Sequence, residues 1–441
     1  MRKLKYVSAL AGLTLAGFFV QTSTASTVYV GNCPNGNHAI TIQQGINAAA
    51  PGGTVDVCPG TYYEQLSINK NLTLIGIANG SADSAIILPP AGGLTQNGSD
   101  IFGDPVAAQI FVQGATVTVS HLTVDATGNN LAGCGGPTLE GIYFQNSSGK
   151  ITDNVVRNQY QTDFTDYGGC QNGLAINVES VTNSNSVTIS DNFVQAYQKN
   201  GITATGAATG PGSDGPTVAI TANQIVGLAA TALNWPGGAA ENGVQVGFGA
   251  KGTVTSNTVN DNIWFADTNT QPYNAASGIL VYASTGITIS LNNVGSAQFG
   301  ITADSDPTYG PGDDTTIKSN KVQGTQIFDA IDVCSNSNTV TSNTIYGSTE
   351  SAIHLDDSCG SGNNNTASGN IINGACAGVL LGTGSGNTST PNTFINVGST
   401  TLAGDTCTPG PSGDAFQKSS ANSTSNHPVL RPSPYKPNKA R

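Results

Sequence analysis

The sequence predicts an all-β solenoid, a parallel β-helix of about ten to twelve short coils. Two interleaved repeats predict it. The first is a β-branched residue, two small polar residues, Asn, any residue, then Val or Ile, as in ITDNVV at Ile151, ISDNFV at Ile189, VTSNTV at Val254 and VTSNTI at Val340. The second is Gly or Ala, an aliphatic, a variable residue and another small or apolar residue. It occurs as GIYF at Gly141, GLAI at Gly173, GITA at Gly201, GVQV at Gly243, GILV at Gly278, GITA at Gly300, AIDV at Ala330, AIHL at Ala352 and GVLL at Gly378. Two alternating registers predict two strand sets per coil. Such short strands bury an apolar face only by stacking on their neighbours, about 4.8 Å apart.

Taken in chain order, Met1, Arg2, Lys3 and Lys5 precede an apolar run from Val7 to Val20, and Ser23 and Ala25 suit a signal-peptidase site, so residues 1–25 are expected to be a cleaved leader. That run of 14 residues is short of the roughly 20 a membrane span needs, and no later segment reaches it. The expected location is secreted, periplasmic or cell-surface. In ITIQQGINAAAPGG from Ile40, the residues Ile42, Ile46 and Ala49 lie at helical spacing before Pro51-Gly52-Gly53, which predicts a short helix capping the first coil. NLTLIGI from Asn71 and VTVSHLTV from Val117 keep the coil pattern without the Asn.

The repeat asparagines are Asn154, Asn192, Asn223, Asn257, Asn292, Asn320, Asn343 and Asn370. An amide recurring inward between aliphatics must satisfy two donors and an acceptor, which predicts a stacked ladder bonding the turn backbone and its own neighbours. The β-helix is expected over 26–405. Pro and Ser dominate 406–441, where periodicity stops and a disordered tail is expected. Eight cysteines in an exported chain point to disulfides, and Cys33/Cys58 and Cys334/Cys359 are each 25 residues apart, close to one coil.

Net charge is −12 with 15 Lys+Arg, which repels phosphate backbones, so nucleic acid is excluded as a partner. Charged residues are 10% of the chain against about 25% in average proteins, yet the apolar residues are evenly spaced, as an elongated repeat protein requires. The expected partner is an extracellular polysaccharide, bound by a monomer.

The stretch TIQQGINAAAPGGTVDVCPGTYYEQLSINKNLTLIGI and the Asn coils resemble the pectin-lyase-like superfamily, over about Thr27 to residue 400. The resemblance implies a single-stranded right-handed parallel β-helix. It implies no single reaction, because the superfamily includes lyases, hydrolases, esterases, epimerases, phage tailspikes and periplasmic NosD-type proteins. Lyases of this kind use an arginine base beside carboxylate-held calcium, and after the leader only Arg157, Arg431 and Arg441 are available. AIDVCSNSNTVTSNTI followed by AIHLDDSCGSGN is similar in rhythm to polygalacturonases and offers Asp332, Asp356 and Asp357, although the NTD, HG and RIK-like elements are missing. DIFG at Asp100 comes too early for a pectin methylesterase.

In the Gly strand the aliphatics point inward, so the variable position is expected to face solvent. On successive coils it reads Thr302, Asp332, His354, Leu380, and two residues on it reads Asp304, Cys334, Asp356, Gly382. Carboxylates one or two rungs apart fall at roughly 5 to 10 Å, the spacing glycosidases use. The hydrolase assignment is Asp332 as acid, Asp356 as base or nucleophile and His354 as positioning group. The alternatives are solvated acids in a chain with 27 Asp+Glu, or a Ca²⁺ site. No dedicated metal site is expected from His38, His121, His354 and His427, which are scattered. Three long Asn-to-Gly legs, of 19, 20 and 21 residues after Asn154, Asn223 and Asn257, carry Tyr160, Phe164, Tyr167, Trp235, Trp264, Phe265 and Tyr273. Tyr167, Trp235, Trp264 and Tyr273 are the candidate sugar-stacking residues, unless these aromatics instead pin the loops to the barrel.

Overall fold

In the computed structural model the described residues are 26–33, 38–77, 84–162, 170–207, 214–228, 240–263, 274–324, 328–404, 407 and 431–432. The expected leader lies outside them. Ile42–Ala48 forms the expected helix, its N-terminus capped by Thr41 Oγ1, which accepts from Gln44 N–H at 3.1 Å, and by the Glu64 carboxylate, which accepts from the Ile42 and Gln43 amides. Gly45 is required where the helix meets the first coil, because a Cβ there would come within 2.6 Å of Val30.

The strands preceding the repeat asparagines stack in a 13-stranded sheet, with Ile189, Ile220, Val254 and Ile289 in register on successive coils. All four are fully buried, each contributing about 1.5–3 kcal/mol relative to exposure. A 23-stranded sheet takes up both the strands after the asparagines, such as Phe193–Tyr197 and Gln224–Val226, and the Gly-motif strands, such as Asn200–Gly206 and Asn242–Gly247. Each of these coils therefore has three strands where two were expected. The extra corner has a local cause: the residue immediately before each repeat asparagine has positive φ, as at Asp153 (56°), Asp191 (58°), Ala222 (56°), Ser256 (59°) and Ser342 (58°). One left-handed residue breaks the strand and turns the next amide inward.

The ladder forms as expected. From Asn192 onward each Oδ1 accepts from both the backbone N–H and the side-chain Nδ2 of the preceding rung, as Asn223 does from Asn192 at 3.0 and 2.9 Å. Each Nδ2 also donates to a strand carbonyl, Asn223 to Ile189 O at 2.9 Å. The file continues one rung further, to Asn392. A second, shorter file of Asn338, Asn365 and Asn387 lines another corner.

Cys33 pairs with Cys58 and Cys334 with Cys359, the two coil-spaced pairs, while Cys134–Cys170 and Cys376–Cys407 complete the set. Two parts of the Pro- and Ser-rich tail bond back to the helix: Cys407 through its disulfide, and Arg431–Pro432 by parallel pairing with Asn274–Ala275. One motif is shifted. Ile176 pairs with both Ile142 and Ile202, so the repeat unit on that coil is Ala175-Ile-Asn-Val rather than the GLAI beginning at Gly173.

Candidate functional site

Sheet register aligns the variable position of the Gly strands into one outward column: Tyr143, Asn177, Thr203, Gln245, Leu280, Thr302, Asp332, His354, Leu380. Asp332 and His354 are direct neighbours across a rung, as the spacing predicts. The expected solvent exposure is not found. Asp332, His354 and Asp356 are 2%, 5% and 2% exposed. Nearby, the Cys407 backbone N–H donates to the Glu350 carboxylate.

A second polar column precedes the small residue of each motif, with Asn200, Asn242 and Ser277 in register on one stretch and Asp329 opposite Ser351 further on. Where the two columns meet, Asp329, Asp332 and His354 converge. His354 Nδ1 is 3.3 Å from Asp329 Oδ2 and 3.8 Å from Asp332 Oδ1. Ser351 holds Asp329 by donating both its N–H, at 2.9 Å, and its hydroxyl to Oδ1. Asp356 accepts from Ser358 N–H and Oγ in a local turn, so its carboxylate is partly committed.

Burial alone would depress His354, but the hydrogen bond and charge of Asp329, then Asp332 and Asp356, raise it to about 10, so it is an imidazolium at neutral pH. Glu350 is pushed up to about 8 by burial and by the charge of Asp329, opposed by His354. It therefore holds a proton where a free glutamate would not. The repeat marks neither Asp329 nor Glu350, although Asp329 stands directly before its motif in FDAIDV and Glu350 is separated from its motif by Ser351 in TESAIHL.

A second cluster lies on earlier coils. Glu140 and Glu179 are fully buried, and Asn177 Nδ2 donates to both, at 3.0 and 3.2 Å. Tyr143 OH donates to Glu179 Oε2 at 2.7 Å. Burial, then the charge of Asp100, raises Glu179 to about 7, and burial with the charge of Glu179 raises Glu140 well above the usual range. Beside them an open cleft of about 510 Å³ is lined by Gln96, Asn97, Ser99, Asp100, Gln113 and Gln145. Gln145 Nε2 donates to Tyr143 OH at 3.2 Å, so the cleft wall is two hydrogen bonds from Glu179.

The four candidate stacking residues, Tyr167, Trp235, Trp264 and Tyr273, lie outside the described residues, as do Phe164 and Phe265. Arg157 Nε bonds Asp125 Oδ2 at 2.7 Å.

The stacked coils, ladder and corners define a right-handed parallel β-helix. The sequence of residues 212–394 matches the family model described as the right handed beta helix region. Among solved structures the chain is similar to the Dettilon tailspike protein (TM-score 0.55, 15% identity, 80% of this chain and 62% of that one). It is also similar to PfbA, a surface adhesin of Streptococcus pneumoniae (0.53, 14%, 82% and 88%), and to the GH136 lacto-N-biosidase from Eubacterium ramulus (0.53, 10%, 84% and 67%). The chain thus spans less than two thirds of the tailspike's length. At these identities the likeness establishes the fold. No curated protein sequence matches the chain. No helix among the described residues is long and apolar enough to cross a membrane.

Proposed function

We propose that this chain binds or processes an extracellular polysaccharide, with the amide-lined cleft as its carbohydrate-facing surface. The observation that carries this reading is the cleft and column taken together. Four amide side chains line one open cleft, and the buried column that begins at Tyr143 beside it runs on to an acidic cluster that contains both protonated and ionised groups. Amides donate and accept at once, which matches sugar hydroxyls, and the net charge of −12 favours neutral or acetylated glycans over polyuronates. The four disulfides and the expected leader support an extracellular setting.

For cleavage, a glycosidase needs one carboxyl that keeps its proton and one that does not. Glu350 is only partly buried and holds its proton, so in this reading it takes the acid role first given to Asp332, with Asp356 as base or nucleophile and Asp332 and His354 as positioning groups. The near-complete burial of Asp332, His354 and Asp356 favours a second reading, a non-catalytic carbohydrate-binding or adhesive protein.

Reducing-end release over a panel of neutral and acetylated polysaccharides tests the first reading. The expected result is product from at least one polymer, cut by at least a hundredfold in Glu350→Gln with binding retained. Binding without product transfers the assignment to the adhesive reading. Neither binding nor product sinks both.

A further inference from the structure

We propose that Asp329, Asp332 and His354 bind a divalent ion of the zinc or manganese type. The proposal does not depend on the carbohydrate reading. It starts from geometry fixed by the scaffold: the strand register sets Asp332 beside His354, and Asp329 reaches the same point from across the corner at Ala330. One ligand atom from each residue lies within 4.8 Å of the other two. Nitrogen and carboxylate ligands at about 2.1 Å from a tetrahedral zinc stand roughly 3.4 Å apart. The observed separations from His354 Nδ1, 3.3 and 3.8 Å, straddle that value.

A second observation points to a ligand at this imidazole. His354 is 5% exposed and its Nε2 is buried with no hydrogen-bond partner, so the ring is held through Nδ1 alone, and an ion there would take the place of the proton that Nδ1 shares with Asp329. The group around it is strongly unbalanced in charge, with Asp329, Asp332 and Asp356 all acting on one histidine. Buried carboxylates in such excess are stabilised by a cation.

The ligand set selects the ion. Calcium takes six to eight oxygens, and an imidazole with two carboxylates is a poorer match for it than for zinc or manganese. Ser351 completes the arrangement by holding Asp329 Oδ1 through two donors, which leaves Oδ2 directed at the centre. Three protein ligands leave a fourth tetrahedral position open, the pattern of zinc sites that act on a substrate.

The test uses the full chain, stripped with chelator and titrated with Zn²⁺ and Mn²⁺ by calorimetry, with bound metal counted by mass spectrometry and cobalt substitution followed by its visible absorption. One ion per chain is expected. Affinity should fall at least tenfold in Asp329→Asn, Asp332→Asn and His354→Gln, and by about tenfold in Ser351→Ala, which removes only an outer partner. Asp153→Asn, in an exposed turn of another coil, should bind as the parent does. Circular dichroism establishes that each variant is folded, and should the ligand variants not fold, Ser351→Ala decides. No bound ion, or undiminished binding in a folded His354→Gln or Ser351→Ala, overturns the proposal. Glycan binding by the stripped protein would leave the proposed function standing on its own.

Discussion

Replacing Asn223 by alanine removes one rung from the middle of the ladder, and the loss can be counted bond by bond. The Asn223 amide donates to Ile189 O at 2.9 Å and to Asn257 Oδ1 at 2.9 Å, and accepts from the Asn192 backbone and side-chain nitrogens. Alanine takes the Asn223 donor from the Ile189 carbonyl, strands the Asn192 backbone N–H and leaves Asn192 Nδ2 with its bond to Ile151 O alone, in a site where Asn223 itself is 1% exposed. At about 1–3 kcal/mol for each buried group left without a partner, the total is about 4 kcal/mol after partial relaxation. That is a large share of the roughly 5–15 kcal/mol that holds a typical protein folded. Urea unfolding followed by far-ultraviolet circular dichroism measures it, with Asn183→Ala, at an exposed turn, as a control expected to shift by less than about 0.5 kcal/mol. A shift for Asn223→Ala no larger than the control would refute the claim that the ladder holds the coils.

Glu179 is raised to about 7 from 4.5 while facing Asp100, Glu140 and Tyr143, so the folded chain keeps a proton that the unfolded chain releases. Its contribution is complete below pH 4.5 and is lost as pH rises through 7, on the order of 3 kcal/mol, and Glu179→Gln should flatten the stability difference between pH 5 and pH 8. Opening the Cys334–Cys359 bridge by a double serine substitution frees a loop of 25 residues and should cost roughly 3 kcal/mol in calorimetric unfolding. Arg157→Ala should lower stability by about 1 kcal/mol through its ion pair with Asp125 and leave any sugar product unchanged; a complete loss of product would restore Arg157 as a lyase base.

The parts of this molecule legible in sequence are those a fixed period imposes. Ile189, Ile220, Val254 and Ile289 share a face because each coil repeats the same inward step, and that step also aligns Asp332 with His354. Corners were harder. The left-handed residue before each ladder asparagine is Asp, Ala, Ser, Leu or Gly in turn, so no residue type marks it. The second asparagine file was hidden because Asn338, Asn365 and Asn387 sit in SNSNT, GNNNT and GSGNT, where one structural amide stands among several turn residues. Gly173 drew the repeat two residues out of register because it carries a true positive φ, 78°, ahead of the real unit at Ala175. Burial of the outward column was not legible at all, since the repeat marks which residues point away from the barrel and not what lies against them.

Affinity electrophoresis of the wild-type chain through gels containing soluble neutral polysaccharides tests the carbohydrate assignment most directly. Retardation by at least one polymer is expected, with a loss of that retardation when Gln113 and Gln145 are both replaced by alanine in a protein that remains folded. Free migration through every polymer, or retardation indifferent to those two amides, would contradict it.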